Sequence, residues 1–551
     1  MKASFVSAIL LGSALANLGC DGSQGGQPTA APDGDVGSAI RELASSAPAA
    51  APGPARLVAP LSGSVTGSRR PVLRWSGPNA AVIEICADHA CQQPSAAFVA
   101  VGHQAQPPRP LSTGVVFWRV ITLGPRLAIQ LSATWELFVP PGGSNAVATR
   151  GLRYDANADG FADAAARAQN GNAATDVLHV FTGGTDGINQ ARDVMLTLVA
   201  PPFGVGFSAA GDTNGDGYGD FAVADGRGVV VYAGAPGSPV AAPLMVIPVP
   251  AGANAFSFGF QVSGLGDVNG DGYGDLLVAD DSSTAWVFLG GPAGPSTTPA
   301  WIATAAAGRN FRFMTAGDLN GDGFGDVVLM DFGPGGTPQG FRFFRGGAGG
   351  LEPPTGGTFV QRPALPFGTA GDADGNGTMD LVTAEATTLN VFPGGAAFPA
   401  APTETITVPA QPGPLQMGDF DGDGRSDLVA TTSTPSPASF FFTDDRVDIY
   451  LGSAAGLAPA PSQTLVETDF LPDDQLNFGS RLGNADFNRD GREDLLLGAP
   501  PPFPTPFFDT SASVVFVFPG AAGGVSTTPT RLDGTPGFGS AVSAGVPQSG
   551  P

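Results

Sequence analysis

One nine-residue pattern constrains this chain more than any other feature: an acid or amide at positions one, three, five and nine, with glycine at position six, seven times over. It reads DANADGFAD from Asp155, DTNGDGYGD from Asp212, DVNGDGYGD from Asp267 and DLNGDGFGD from Asp318. DADGNGTMD from Asp372, DFDGDGRSD from Asp419 and DFNRDGRED from Asp486 complete the set. Successive copies begin 47 to 67 residues apart, which is the signature of one supersecondary unit repeated.

Short apolar runs such as FAVAD, VVVYAG and LMVIPV follow the copies, bounded by Gly and Pro, and read as strands. A Phe-Gly pair stands ahead of several copies, as at Phe203-Gly204, Phe258-Gly259, Phe367-Gly368 and Phe478-Gly479. Four strands per unit and seven units predict an all-β fold, a seven-bladed β-propeller over residues 145–551. The composition agrees, because 81 Gly and 52 Pro supply turns while 37 Phe and an apolar share of 42% supply strands. The first copy has no Phe-Gly strand before it, whereas an orphan GFGSAVSAG begins at Gly537, after the last unit. That C-terminal strand is expected to complete the first blade and leave no open sheet edge, with Asn145 to Tyr154 as the competing occupant.

The repeated loops have the chemistry of calcium sites. Calcium takes six to eight oxygens from a flexible loop, with glycine at the sharp turn. The candidate ligands are Asp155, Asn157, Asp159 and Asp163 in the first loop, then Asp212, Asn214, Asp216 and Asp220, and then Asp267, Asn269, Asp271 and Asp275. They continue with Asp318, Asn320, Asp322 and Asp326, with Asp372, Asp374, Asn376 and Asp380, with Asp419, Asp421, Asp423 and Asp427, and with Asp486, Asn488, Asp490 and Asp494. Position seven adds a backbone carbonyl. Hard oxygen donors without His or Cys favour calcium over zinc. An EF-hand would place an acid at position twelve and lead into a helix, but here position twelve is Val223, Val278 or Leu329 inside a strand. The plainer reading is a set of Asx turns. Two loops depart from the pattern: Ala158 replaces a glycine in the first, and Asn376 an aspartate in the fifth. Up to seven ions, two positive charges each, would bring the formal charge of −24 to about −10, with affinities on the order of 10⁻⁴ to 10⁻³ M.

These repeats resemble the FG-GAP (VCBS-type) family, of which the integrin α-subunit propeller is the best-known example. The resemblance implies a seven-bladed propeller, calcium in the inter-strand loops, a role in adhesion or ligand display, and ligands on the face opposite calcium.

Upstream, residues 1–20 read as an export signal: Lys2, an apolar run from Phe5 to Leu11, then small residues. Ala14-Leu15-Ala16 fits an ordinary cleavage site. Leu18-Gly19-Cys20 resembles a bacterial lipobox, with Asn17 departing from it, and makes Cys20 the lipidation candidate; one lipidated terminus anchors without spanning. Residues 21–55 read as a disordered linker. Residues 56–141 hold Trp75, Trp118 and Trp135 in alternating strand patterns and are expected to form a small β-sandwich, similar to fibronectin type III or immunoglobulin-like modules. Cys86 and Cys91 bracket a short turn and are expected to form a disulfide in an exported protein; a metal site with His89 is the sharper alternative.

With 49 acidic residues against 25 basic ones, phosphate-driven nucleic-acid binding is a poor fit. Three scattered histidines and no nucleophile elbow or phosphate loop supply no catalytic constellation. The preferred expectation is a non-enzymatic surface binding or adhesion module, exported, held at the bacterial outer membrane or cell surface by a lipid anchor or else secreted, with a protein or glycan ligand. A polysaccharide-acting propeller enzyme and a passive envelope component are the alternatives. Connections expected at Ser433–Asp445 and Pro500–Ala512 carry Phe440, Phe441, Phe442, Phe503, Phe507 and Phe508, a candidate ligand surface opposite the calcium loops.

Overall fold

The computed structural model describes residues 54–543, apart from 125–127, 169–174, 200–205, 238–242, 281–282, 363–366, 436–442, 472–475, 501–512 and 535–537. The export signal, Cys20, nearly all of the linker and the six candidate ligand-loop phenylalanines lie outside the described residues.

Seven four-stranded antiparallel sheets are present among the described residues. The second blade is representative: Phe207–Gly211, Asp220–Asp225, Gly228–Tyr232 and Pro243–Ile247 pair in that order. The first strand of each sheet lies against the first strand of the next, all the way round, so the sheets form a closed ring. This is a β-propeller. Its geometry explains the sequence pattern. Middle strands such as Asp220–Asp225 and Gly228–Tyr232 are covered on both faces by neighbouring blades and are buried at every residue, so they read as continuous apolar runs. Outer strands such as Trp301–Thr304 are covered on one face and alternate buried with exposed. The core therefore lies between blades: Leu178 and Val180 of the first, Phe221 and Val223 of the second and Leu276 and Val278 of the third share one cluster.

The ring closes through the C-terminus. Phe538–Ser543 pairs antiparallel with Ala164–Ala168 and takes the innermost place of the first blade, where the orphan strand was expected. Its competitor goes elsewhere: Thr149–Leu152 pairs with Ser64–Thr66 of the N-terminal unit. That unit therefore takes back residues expected to begin the propeller at 145. It comprises a three-stranded and a seven-stranded sheet that enclose one core, with Leu57, Leu73 and Trp75 from the first against Ile83, Trp118 and Leu137 from the second. Trp118 and Trp135 meet edge to face at 6.2 Å, so the tryptophans are core residues. Cys86 and Cys91 are joined as a disulfide.

The loop expected over Ser433–Asp445 is shorter than its composition suggested, because the ladder continues to Pro435 opposite Thr443. Strand pairing outlasts the apolar pattern there. Thr432, Ser433 and Thr434 meet Arg446, Asp445 and Asp444, polar partners that carry no hydrophobic signal.

Candidate metal loops

In six blades the nine-residue loop joins the first strand to the second, while the first copy leads from Thr149–Leu152 of the N-terminal unit into Ala164–Ala168; the seven are built alike. The position-nine carboxylate accepts the N–H of position two through one oxygen and that of a glycine past the next strand through the other. Asp275 takes Val268 and Gly290, both at 2.8 Å, and the same pair of bonds recurs at Asp163, Asp220, Asp326, Asp380, Asp427 and Asp494. The position-one carboxylate accepts the N–H of the position-six glycine in every loop, at 2.7–3.0 Å. Position three accepts from the N–H of position five, and position five from that of position seven.

This path demands left-handed backbone twice. Position six is glycine throughout, with φ between 84° and 96°. Position four has φ between 52° and 79° in all seven loops, and there two copies do without glycine, Ala158 at 52° and Arg489 at 59°. Ala158 therefore leaves the first loop's conformation intact.

Adjacent loops are stitched together. Gly219 donates to the Asp155 carbonyl at 2.9 Å, Gly274 to Asp212, Gly325 to Asp267, Ser426 to Asp372 and Glu493 to Asp419. Ala162 donates to Asp486 across the seam.

Hydrogen bonds of this kind are Asx turns, but turns alone leave the burial unexplained. An amide could make a turn at less cost than a carboxylate, yet positions one and nine are aspartates in every copy, all buried except the half-buried Asp419. Burial pushes Asp267 up to about 6, Asp318 and Asp380 up to about 7, and Asp326 and Asp427 up to about 8. The backbone donors oppose that shift and neighbouring carboxylates add to it. A divalent cation would remove the conflict, and in two loops the oxygens are clustered as one requires. Ligand atoms of Asp372, Asp374 and Asp380 lie within 4.8 Å of one another, as do those of Asp419, Asp421 and Asp423. Two oxygens on opposite sides of a calcium ion, each at about 2.4 Å, are separated by about that distance. The residues present fit the ion.

The position-six and neighbouring carbonyls of these loops face the N-terminal unit, which lies across them. Ser62 Oγ donates to the Gly217 carbonyl at 3.1 Å, and the His89 ring lies 4.8 Å from that of Tyr218. Arg56 donates to the Asp271 carbonyl, and its guanidinium stands 4.7 Å over the Tyr273 ring. The segment leading out of the unit continues the contact: Asn145 Nδ2 donates to the Gly321 carbonyl at 3.2 Å and Ser144 Oγ to that of Asn376 at 2.6 Å. His89 is thus an interface side chain, in place of the third member of a metal site with Cys86 and Cys91. Nothing in the sequence of residues 56–141 signalled this docking, since its contacts run through backbone carbonyls and isolated polar residues.

Comparison with known proteins follows the same loops. An FG-GAP-like repeat model matches residues 267–329 and 372–430, and an FG-GAP repeat model matches 478–518. The chain carries FG-GAP repeats. A 102-residue stretch is 40% identical to integrin alpha-PS2 of Drosophila melanogaster, covering 16% of this chain and 7% of that protein. A 94-residue stretch is 39% identical to integrin alpha-7 of Homo sapiens, covering 16% and 8%. The FG-GAP likeness to these integrins thus spans less than a tenth of either relative. Among solved structures, a lectin of Agrocybe aegerita described as recognising non-reducing terminal N-acetylglucosamine aligns at TM-score 0.42 and 16% identity, over 71% of this chain and 93% of its own. AofleA from Arthrobotrys oligospora aligns at 0.34 and 9%, over 61% and 88%. At such TM-scores the likeness extends to neither site nor ligand.

Proposed function

We propose that this chain is a calcium-dependent, non-catalytic binding or adhesion module, exported and held at the envelope by a lipid on Cys20, whose FG-GAP propeller presents a surface to a protein or glycan. The observation that carries the reading is the sevenfold repetition of one loop geometry. Each copy sets two carboxylates, buried in all but the half-buried Asp419, beside two further oxygen-bearing side chains, at a burial cost that a divalent cation offsets.

Calcium bound only by the folded chain stabilises it by mass action, about 2.7 kcal/mol per site at a hundredfold excess over Kd. Elemental analysis of the purified protein and thermal melts with and without chelator test the assignment. Several ions per chain and a lowered melting temperature on chelation are expected; fewer than three ions and an unchanged melt would overturn it. A pull-down from envelope extract, run with calcium and with chelator beside a glycan-degradation assay, tests the binding role. Calcium-dependent capture without degradation is expected, and degradation would replace the binding reading with an enzymatic one.

A further inference from the structure

The first loop differs from its six fellows in what stands beside it. Glu136 belongs to the N-terminal unit, on the strand Trp135–Val139, where Trp135, Leu137 and Val139 point into that unit's core. Alternation turns Glu136 the other way, toward the propeller. It is buried, 3% exposed, and its carboxyl is in hydrogen-bond contact with that of Asp155, the position-one residue of the first loop. Two buried carboxyl groups therefore touch across the boundary between the unit and the ring.

Two arginines stand nearby, and Arg153 Nε and Nη1 are buried with no hydrogen-bond partner among the described residues. Arg153 donates through Nη2 to Glu493 at 3.0 Å, stands 3.9 Å from Asp486 of the seventh loop and lies 3.2 Å over the Phe138 ring. Arg489 reaches over Gly160. Their charge bears on Glu136 at longer range, and neither is recorded in a hydrogen bond to it among the described residues. Packing alone gives no reason for a glutamate here, because the adjacent Ser62 already fixes the strand to the second loop, accepting from the Glu136 N–H at 3.1 Å while donating to Gly217.

We propose that Glu136 is an additional ligand of the cation in the first loop, so that this ion is shared between the N-terminal unit and the propeller and clamps one to the other. The inference rests on the calcium reading of the loops. Asp155, Asn157, Asp159 and Asp163 supply the oxygens common to all the loops, and Glu136 adds a fourth carboxylate, from the N-terminal unit. The first site then matches the sixth in carboxylate count and binds more tightly than it would with its own loop alone, and its occupancy reports on docking of the unit.

The test uses the full chain, calcium alone as the probe, and the variants Glu136→Gln, Asp159→Asn and the double substitution. Glu136→Gln preserves size and hydrogen bonding but removes the charge; Asp159→Asn removes the charge of a ligand on the exposed side of the same loop. Calcium titration should show one site of the wild type weakened on the order of tenfold in each single variant, with the double variant losing less than the product of the two. Hydrogen exchange at the amides of residues 135–139 should slow on adding calcium in the wild type and respond far less in each single variant. Unchanged affinities in Glu136→Gln, or calcium-dependent slowing that survives Asp159→Asn, would overturn the clamp while leaving the loops as calcium sites. A wild type that binds no calcium overturns the loop reading itself. Should Glu136→Gln fail to fold, the exchange response of Asp159→Asn alone decides.

Discussion

Replacing Phe538 with alanine tests the closure of the ring. This side chain is wholly buried on the C-terminal strand, edge-on to Phe181 at 6.2 Å and to His179 at 5.0 Å, in a cluster that also holds Leu496 and Val515 of the seventh blade. It therefore bonds the first blade to the last. A buried Phe→Ala change costs about 3–5 kcal/mol, counting lost transfer energy and the cavity left behind; the two edge contacts account for about 0.5–1.5 kcal/mol each within that sum. At about 2.1 cal/mol/K of unfolding entropy per residue, a ring of about 400 residues loses roughly 1.2 °C per kcal/mol, so a drop of about 4–6 °C is expected. Ile302→Ala is the control, on an outer strand at 47% exposure, where about 0.5 kcal/mol is the usual limit. Calorimetry on both variants in saturating calcium makes the comparison. If Phe538→Ala melts with Ile302→Ala, the C-terminal strand is not what closes the ring.

Gly217→Ala and Gly491→Ala, at the same loop position with φ of 96° and 89°, should separate loop strain from docking: a Cβ at 217 would meet the Thr134 carbonyl at 2.3 Å, whereas one at 491 meets nothing. Both should lose about 1–2 kcal/mol for the left-handed backbone, and only Gly217→Ala should also expose the N-terminal unit to limited proteolysis; equal proteolysis would refute the docking. The chelated protein should lose stability as pH rises. Carboxyls raised in the folded state, such as Asp220 and Asp494 at about 7 and Asp326 at about 8, stabilise it fully below the unfolded value near 4, and that contribution is lost as pH climbs through 7 and 8. Calcium should flatten the dependence and release protons on binding near pH 7; a chelated melting temperature that rises from pH 5 to 8 would contradict this.

The propeller was legible because repetition multiplies a weak signal. No single DxNGDG is decisive, but seven at one spacing, each followed by runs such as FAVAD, left few folds open, and the missing Phe-Gly before Asp155 pointed to the strand at Phe538. The docking of the N-terminal unit was illegible for a physical reason. Its bonds go to the carbonyls of Gly217, Asp271, Gly321 and Asn376, groups every residue possesses, and Glu136 sits in the run TWELFVP like any solvent-facing residue of a strand. The requirement at position four was partly visible in five glycines; Arg489 hid it in the last loop, because only backbone geometry shows that an arginine has taken a glycine's conformation.

The pairing of Ser543 with Ala165 joins residues made near the end of synthesis to residues made long before the other six blades. While the chain emerges, the first blade waits with three strands and an open inner edge, and no earlier segment can lock the circle. Loop closure across almost the whole propeller makes this the slowest contact to find. A chain cut short anywhere before Phe538 is left with an unpaired strand facing its neighbours, the kind of surface through which unfinished proteins stick to one another and invite degradation. Closure of the ring thus depends on synthesis reaching the strand Phe538–Ser543.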